Sequence, residues 1–230
     1  MADGQGTVTF ADITAALSSH GLILRGGFHL EPGEAGLENV QTAVLIGNAG
    51  GAMWEAFAPH IDGRKNPLDR WTKGVIDPIA EQVGARAVYP FDPSVPPFQQ
   101  WALRSESVFA SPLGILIHPI YGLWHAYRAA LLFPERLDLP LRSDGASPCE
   151  SCAGQPCLSA CPVGAFNGIA YDAAACADHI ARPEANCIAI GCHARNACPV
   201  GIEWRYREAQ IRFHMAAFSR SVGRHRGAPD

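Results

Sequence analysis

Eight cysteines are the residues best suited to chemistry, and all of them fall between Cys149 and Cys198. They form two runs. The first is Cys149-x2-Cys152-x4-Cys157-x3-Cys161-Pro162, and the second is Cys176-x10-Cys187-x4-Cys192-x5-Cys198-Pro199. An iron–sulfur cubane needs four thiolates converging on one small object. Closely spaced cysteines on a loop provide three, and a remote cysteine followed by Pro closes the cage. Both runs end in Cys-Pro-Val-Gly, an internal repeat of that closing element. Two four-cysteine zinc sites would also use all eight thiols, but zinc has no need of the Cys-Pro closures. His179 and His193 lie among the cysteines as alternative ligands that eight thiolates make unnecessary.

In two-cluster ferredoxins the closing cysteine of each run ligates the other run's cluster. By that crossed rule Cys149, Cys152, Cys157 and Cys198 hold one [4Fe–4S] cluster, while Cys161, Cys176, Cys187 and Cys192 hold the second. The x4 and x5 gaps depart from the commoner x2 and x3. Two clusters make an electron relay, so the 148 residues that precede them should hold what the electrons reach.

Composition narrows the classes. At 48% hydrophobic and 17% charged the chain can bury a core. A formal charge of -4 argues against loose, charge-driven nucleic-acid binding. No run of 18 apolar residues suggests a membrane span, and the first 30 residues show no secretory pattern. Cysteines packed behind a cysteine-free segment suit ligands in a reducing cytoplasm better than a disulfide framework.

The elements follow from periodicity and turn signals. A short helix is expected over residues 11–20 and an extended segment from Leu22. A strand over residues 42–46 leads into Gly47-Asn48-Ala49-Gly50-Gly51. That turn lacks a Gly-Lys-Ser/Thr ending, which excludes a nucleotide loop. A helix begins at Asn66-Pro67, with Leu68, Trp71, Val75, Ile79 and Val83 on its apolar face and a kink at Pro78. A strand over 86–89 meets a proline-rich loop around Asp92. A helix is expected over 98–109, an apolar strand over 114–118, and a further helix from about 123 to 132. The polar cluster 143–148 marks a boundary between domains 1–142 and 143–230. Beyond the cysteines, Ile202, Tyr206, Ala209, Phe213 and Ala216 fall on one helical face, with a solvated face opposite.

On the domain side, the strand and His-Pro turn Gly114-Ile115-Leu116-Ile117-His118-Pro119-Ile120-Tyr121-Gly122-Leu123-Trp124 could line a flat cavity and present Arg128 to an anion. Core packing of the same residues is the plainer alternative. The string LIHPIYGLWHAYRAALLFP, residues 116–134, resembles the cobalamin-processing (cblC-type) family. With the Asp92 loop and the cysteine order it also resembles epoxyqueuosine reductase, and more remotely the reductive dehalogenases. The resemblance covers roughly residues 40–200.

It implies an α+β chain: a nitroreductase-like cobalamin-binding domain with base-off cobalamin, then a C-terminal bacterial ferredoxin-like two-cluster domain. The implied cofactor-binding residues are Gly114, His118, Tyr121, Gly122, Trp124 and Arg128. Arg128 matches the arginine that cblC-type proteins use to hold glutathione. Asp92 falls where epoxyqueuosine reductase keeps its proton donor, though an Asp among prolines also suits a plain turn. The implied function is a cytoplasmic iron–sulfur oxidoreductase that passes electrons from two clusters to cobalamin. The outcome would be upper-ligand removal or reduction of an organic substrate. Its partners would be an electron donor (flavodoxin, ferredoxin or a reductase) and glutathione or a small molecule.

Departures from the pattern argue against tRNA as a partner. The sequence ends about 30 residues after Cys198, short of the helical-repeat extension the resemblance would imply, and Ala110-Ser111-Pro112-Leu113 replaces an Ile-Gly-Lys-Asn type element. The six Arg against three acids from Glu203 to Asp230 read as a solvated helix face. The rival readings are an electron carrier without cobalamin and a tRNA-modifying reductase.

Overall fold

The computed structural model describes residues 9–31, 33–34, 37–94 and 96–225, with no side-chain description after residue 222. In chain order the elements are α1 Phe10–Ser18, β1 Ile23–His29, β2 Thr42–Ala49, α2 Ala52–Phe57, α3 Pro67–Gln82, β3 Arg86–Val88 and α4 Phe98–Ser105. They continue with β4 Phe109–Ala110, β5 Leu116–Ile117, β6 His125–Phe133, α5 Pro156–Ser159, α6 Ala173–Ile180, α7 Cys187–Ile190, α8 His193–Asn196 and α9 Glu208–His225. The architecture is mixed α/β with a small antiparallel sheet.

Two compact units share the chain. One comprises the chain through Ser107 together with His125–Asp144; the other comprises Val108–Trp124 together with the chain from Gly145 onward. Residues 108–124, expected in the amino-terminal domain, thus cluster with the cysteines. The packing described below gives the reason.

The first unit is built on the sheet β1-β2-β6-β3, antiparallel throughout. Every residue of β2 is buried, which fits an inner strand covered on both faces. Thr9 caps α1 with a reciprocal box: Asp12 N–H donates to Thr9 Oγ1 and Thr9 N–H to Asp12 Oδ2. Ile13 and Leu17 then fall on the buried face of α1. Pro67 opens α3, which carries Pro78 inside it and runs on to Gln82. Its buried residues are Leu68, Thr72, Ile76, Ile79 and Ala80, a stripe rotated slightly from the expected one.

Three element assignments need correction. Residues 123–132 do not form a helix: His125–Phe133 is strand β6, paired with β2 on one side and β3 on the other. A strand buried on both faces loses its alternation and reads as a continuous apolar run. The expected strand over 114–118 shrinks to Leu116–Ile117, paired with Phe109–Ala110. The preceding helix stops at Ser105 rather than running to 109.

Candidate metal centres and the His-Pro turn

The cysteine unit is made of short helices joined by turns, and each turn aims a thiol. Cys149 and Cys152 lie in the loop ahead of α5, Cys157 is on α5, and Cys161 follows it. Cys176 is on α6, whose amino end is capped by Asp172 accepting from Ala175 N–H. Cys187 opens α7, and Cys192 is the N-cap of α8. Cys198 follows α8. Each Cys-Pro-Val-Gly repeat turns backbone amides onto its own sulfur. Ala165 N–H points at Cys161 Sγ at 3.4 Å, and Val200 N–H donates to Cys198 Sγ.

Electrostatics sort the thiols into two sets. Burial raises the pKa of Cys149, and the thiolates of Cys198, Cys157 and Cys152 raise it further, against a lowering hydrogen bond from Ser147. Cys157 is raised by burial and then by Cys198 and Cys152. Cys187 is raised by burial and then by Cys192, Cys176 and Cys161. Cys192 is raised by burial; hydrogen bonds from the Arg195 and Ala194 amides oppose this, and Cys176 and Cys161 add to it. Cys149, Cys157 and Cys198 in one set, and Cys187 and Cys192 in the other, therefore resist ionisation until a cation replaces their protons.

The second set lines one cavity. Cys161, Cys176, Cys187 and Cys192 share a space of about 360 Å³ walled by Phe166, Ile180, Met215 and Phe218. Met215 and Phe218 belong to α9. One face of that helix is therefore packed over the cavity rather than serving only as a solvated exterior. Among the described residues, no three His, Cys, Asp or Glu side chains stand close enough to hold a single metal ion. Zinc at about 2.3 Å from each sulfur needs its four ligands gathered around a point. A cubane, with iron at its corners, draws thiolates from a wider ring. Four thiols on the wall of a roomy, mostly apolar cavity suit the larger object.

A small core ties residues 108–124 to these thiols. Leu113, Ile117, Leu123, Ala194 and Cys198 are buried together, with Cys149 and Cys157 of the first set and Cys161 and Cys192 of the second packed against them. The His-Pro turn is locked to the second Cys-Pro-Val-Gly repeat by close backbone approach. His118 and Gly122 exchange two 2.9 Å backbone hydrogen bonds. A Cβ on Gly122, at φ +55°, would stand 1.9 Å from Val200 O, and one on Gly201, at φ +68°, would stand 2.4 Å from Tyr121 C.

The same packing sets the surroundings of several expected cofactor residues. His118 Nδ1 accepts from the amides of Ile120 and Tyr121 at 3.0 and 3.2 Å, so the imidazole holds its own turn. The ring also stacks on Tyr121 at 4.3 Å. Trp124 is 1% exposed, lies 5.4 Å from the Tyr206 ring, and carries the Arg195 guanidinium on its face at 4.3 Å. It is a core residue. Gly114 lines the second thiol cavity.

Asp92 and Arg128 belong to the sheet unit. Asp92 Oδ2 accepts from Tyr89 N–H at 2.9 Å, and Asp92 N–H donates to Tyr89 O at 3.1 Å, which closes the proline-rich turn. Its Oδ1 is 3.8 Å from Lys73 Nζ. Arg128, on β6, donates from Nε to Asn48 Oδ1 at 3.0 Å. Asn48 is fully buried. Beside it lies a polar network that sequence reading missed. Arg25, 1% exposed, pairs with Glu106 at 2.7 Å and meets His125 Nδ1 at 3.2 Å. Tyr127 donates to Glu106 at 2.6 Å. The available signal was an arginine inside the apolar strand Ile23-Leu24-Arg25.

No protein-family model and no curated protein matches the chain. Among solved structures it is similar to the C. elegans B12-trafficking protein CblC. The identity is 14%, with 92% of this chain and 94% of that chain covered, at a TM-score of 0.53. It is also similar to an epoxyqueuosine reductase crystallised with an epoxyqueuosine-modified tRNA-Tyr stem loop, at 18% identity and a TM-score of 0.47, covering 74% of this chain. Epoxyqueuosine reductase from Bacillus subtilis matches at 15% identity and the same TM-score and coverage. The chain spans about half the length of those reductases, 51% in each case. At these identities the likeness to CblC is one of fold.

Proposed function

We propose that this protein is an iron–sulfur oxidoreductase that binds two [4Fe–4S] clusters and passes electrons to a bound cobalamin. The observation that carries the reading is the set of four thiols lining one apolar cavity, with Cys149, Cys157 and Cys198 of the other set in the small core beside Cys161 and Cys192. The cobalamin half is supported by the resemblance of residues 116–134 and by the fold shared with CblC, a B12-trafficking protein. When bound, the clusters would supply single electrons and cobalamin a reducible cobalt.

The chain's own residues divide the remaining work. Cys149, Cys152, Cys157 and Cys198 would hold one cluster, and Cys161, Cys176, Cys187 and Cys192 the other. Met215 and Phe218 of α9 add apolar wall to the second site. In the sheet unit Arg128 is available for an anion such as glutathione; in the cysteine unit Gly114 and Tyr121 would meet cobalamin. His118, Gly122 and Trp124 build the turn that positions them. Asp92 is the candidate proton donor, through Oδ1, which faces Lys73 Nζ at 3.8 Å. The product is either cobalamin stripped of its upper ligand or a reduced organic substrate.

The test is anaerobic purification with iron and acid-labile sulfide assays, then titration with hydroxocobalamin followed by ultraviolet–visible spectroscopy. A corrin spectrum that shifts on binding, weakened in a Tyr121→Ala/Arg128→Ala variant, with a cluster band that bleaches on reduction, is the expected result. A cluster band without a corrin response would leave an electron carrier. Zinc in place of iron and sulfide would overturn the reading.

A further inference from the structure

Arg195 lines the cavity of the second thiol set and is held there from three sides. Its Nε and Nη2 both donate to Leu123 O, at 3.2 and 2.6 Å. Its guanidinium lies on the face of Trp124 at 4.3 Å and of Tyr206 at 4.8 Å. The partners are a neutral carbonyl and two rings, so the charge is fixed without being cancelled by a carboxylate in these contacts. The cavity wall around it is mostly apolar, which lets a charge act at longer reach than in water.

Hydrogen bonding does not separate the two thiol sets. In the first, Cys149 receives Ser147, Cys157 receives Leu158 N–H, and Cys198 receives Val200 N–H. In the second, Cys161 faces Ala165 N–H, Cys176 shares a hydrogen bond with the Tyr171 side chain, and Cys192 receives the amides of Ala194 and Arg195. The second set has a clamped cation on its cavity wall and α9 packed beside it. Closure alone would disfavour the more negative, reduced state of a cluster; a fixed positive charge opposes that cost.

We infer that Arg195 tunes the reduction potential of the second cluster, raising it relative to what its enclosure would dictate and setting the two potentials apart. This rests on the proposed cluster reading. The experiment is a redox titration monitored by electron paramagnetic resonance on the anaerobically isolated full chain, comparing wild type with Arg195→Gln and Arg195→Lys. In Arg195→Gln one cluster should become at least tenfold harder to reduce, a fall of about 59 mV for one electron, while the other keeps its potential. Arg195→Lys retains a charge but not the planar fork, so it should fall between the two. Loss of one cluster from the Gln variant but not from the Lys variant would also support the role of charge. Unmoved potentials, equal shifts in both clusters, or cluster loss in both variants would overturn it. If wild type carries no iron and sulfide, the functional reading fails first and takes this inference with it. If both clusters assemble and neither potential moves, only the inference fails.

Discussion

At the scale of single residues, the crossed ligand grouping makes a sharp prediction about pairs of substitutions. Cys198→Ser and Cys149→Ser should each remove half the bound iron, and the double variant should remove no more than either alone. Cys198→Ser with Cys192→Ser should remove all of it. Substitutions in one site are non-additive and those in separate sites add. Iron and sulfide assays on anaerobic protein decide between this and an uncrossed grouping, in which Cys198 and Cys192 would share a site. A second residue-scale prediction concerns Arg104, whose guanidinium forks onto Glu34 at 2.9 and 3.0 Å, reaches His29 O at 2.9 Å, and lies over Phe28 at 4.0 Å. The hydrogen bond from Arg104 holds the Glu34 carboxyl below its ordinary range despite partial burial. Because the folded pKa is depressed, the pair stabilises above the ordinary glutamate value, and the contribution is lost as pH falls through the folded value. Solvent screening limits it to about 1 kcal/mol. Denaturation of Glu34→Gln should therefore show a deficit at pH 7 that shrinks as pH falls below the ordinary glutamate range.

At the scale of elements, the His-Pro turn and the second Cys-Pro-Val-Gly repeat act as one piece, because backbone meets backbone at Gly122 and Gly201. Gly122→Ala introduces both a left-handed alanine and an overlap with Val200 O. A loss on the order of 3 kcal/mol is expected, together with poor retention of the Cys198 cluster. Equal stability and iron content in the alanine variant would show that the two turns do not depend on each other. The same elements show what was legible beforehand. That Cys161, Cys176, Cys187 and Cys192 would gather around one cavity was legible from the cysteine spacing and the two Cys-Pro-Val-Gly repeats. The strand β6 was not, because Ala129, Ala130, Leu131 and Leu132 are all buried and combine strong helix formers with no alternation. Nor could Asp92, His118 and Trp124 be assigned, since one residue type can close a turn, fill a core or touch a ligand. Only the partners decide: Tyr89 N–H for Asp92, the Ile120 and Tyr121 amides for His118, and Tyr206 with Arg195 for Trp124. The role of α9 was half legible: an apolar stripe was visible, but not that Met215 and Phe218 would line a thiol cavity.

At the scale of the whole molecule, the two units differ in what stabilises them. The sheet unit buries long apolar strands, with Val44, Leu45, Ile46, Leu131 and Phe133 almost wholly enclosed. Hydrophobic burial of that kind sustains a fold without metal. The cysteine unit has short helices of four to eight residues around a core of Leu113, Ile117, Leu123, Ala194 and Cys198, with α9 as its one long helix. Helices that short are not stable on their own, and buried thiols contribute little beyond small-hydrophobe packing unless a metal centre joins them. Binding energy at the thiol sets should therefore be folding energy for this unit. Stripping iron anaerobically with a chelator should lower or abolish one unfolding transition in calorimetry and leave a second nearly unmoved. Hydrogen exchange would assign them: the amides of β2 and β6 should stay protected, while those of residues 149–201 become labile. A single transition that shifts as a whole on iron removal would mean that the sheet unit also draws its stability from the thiol sites. An unchanged calorimetric profile would mean that metal is not what holds the cysteine unit together, which would count against the cluster assignment itself.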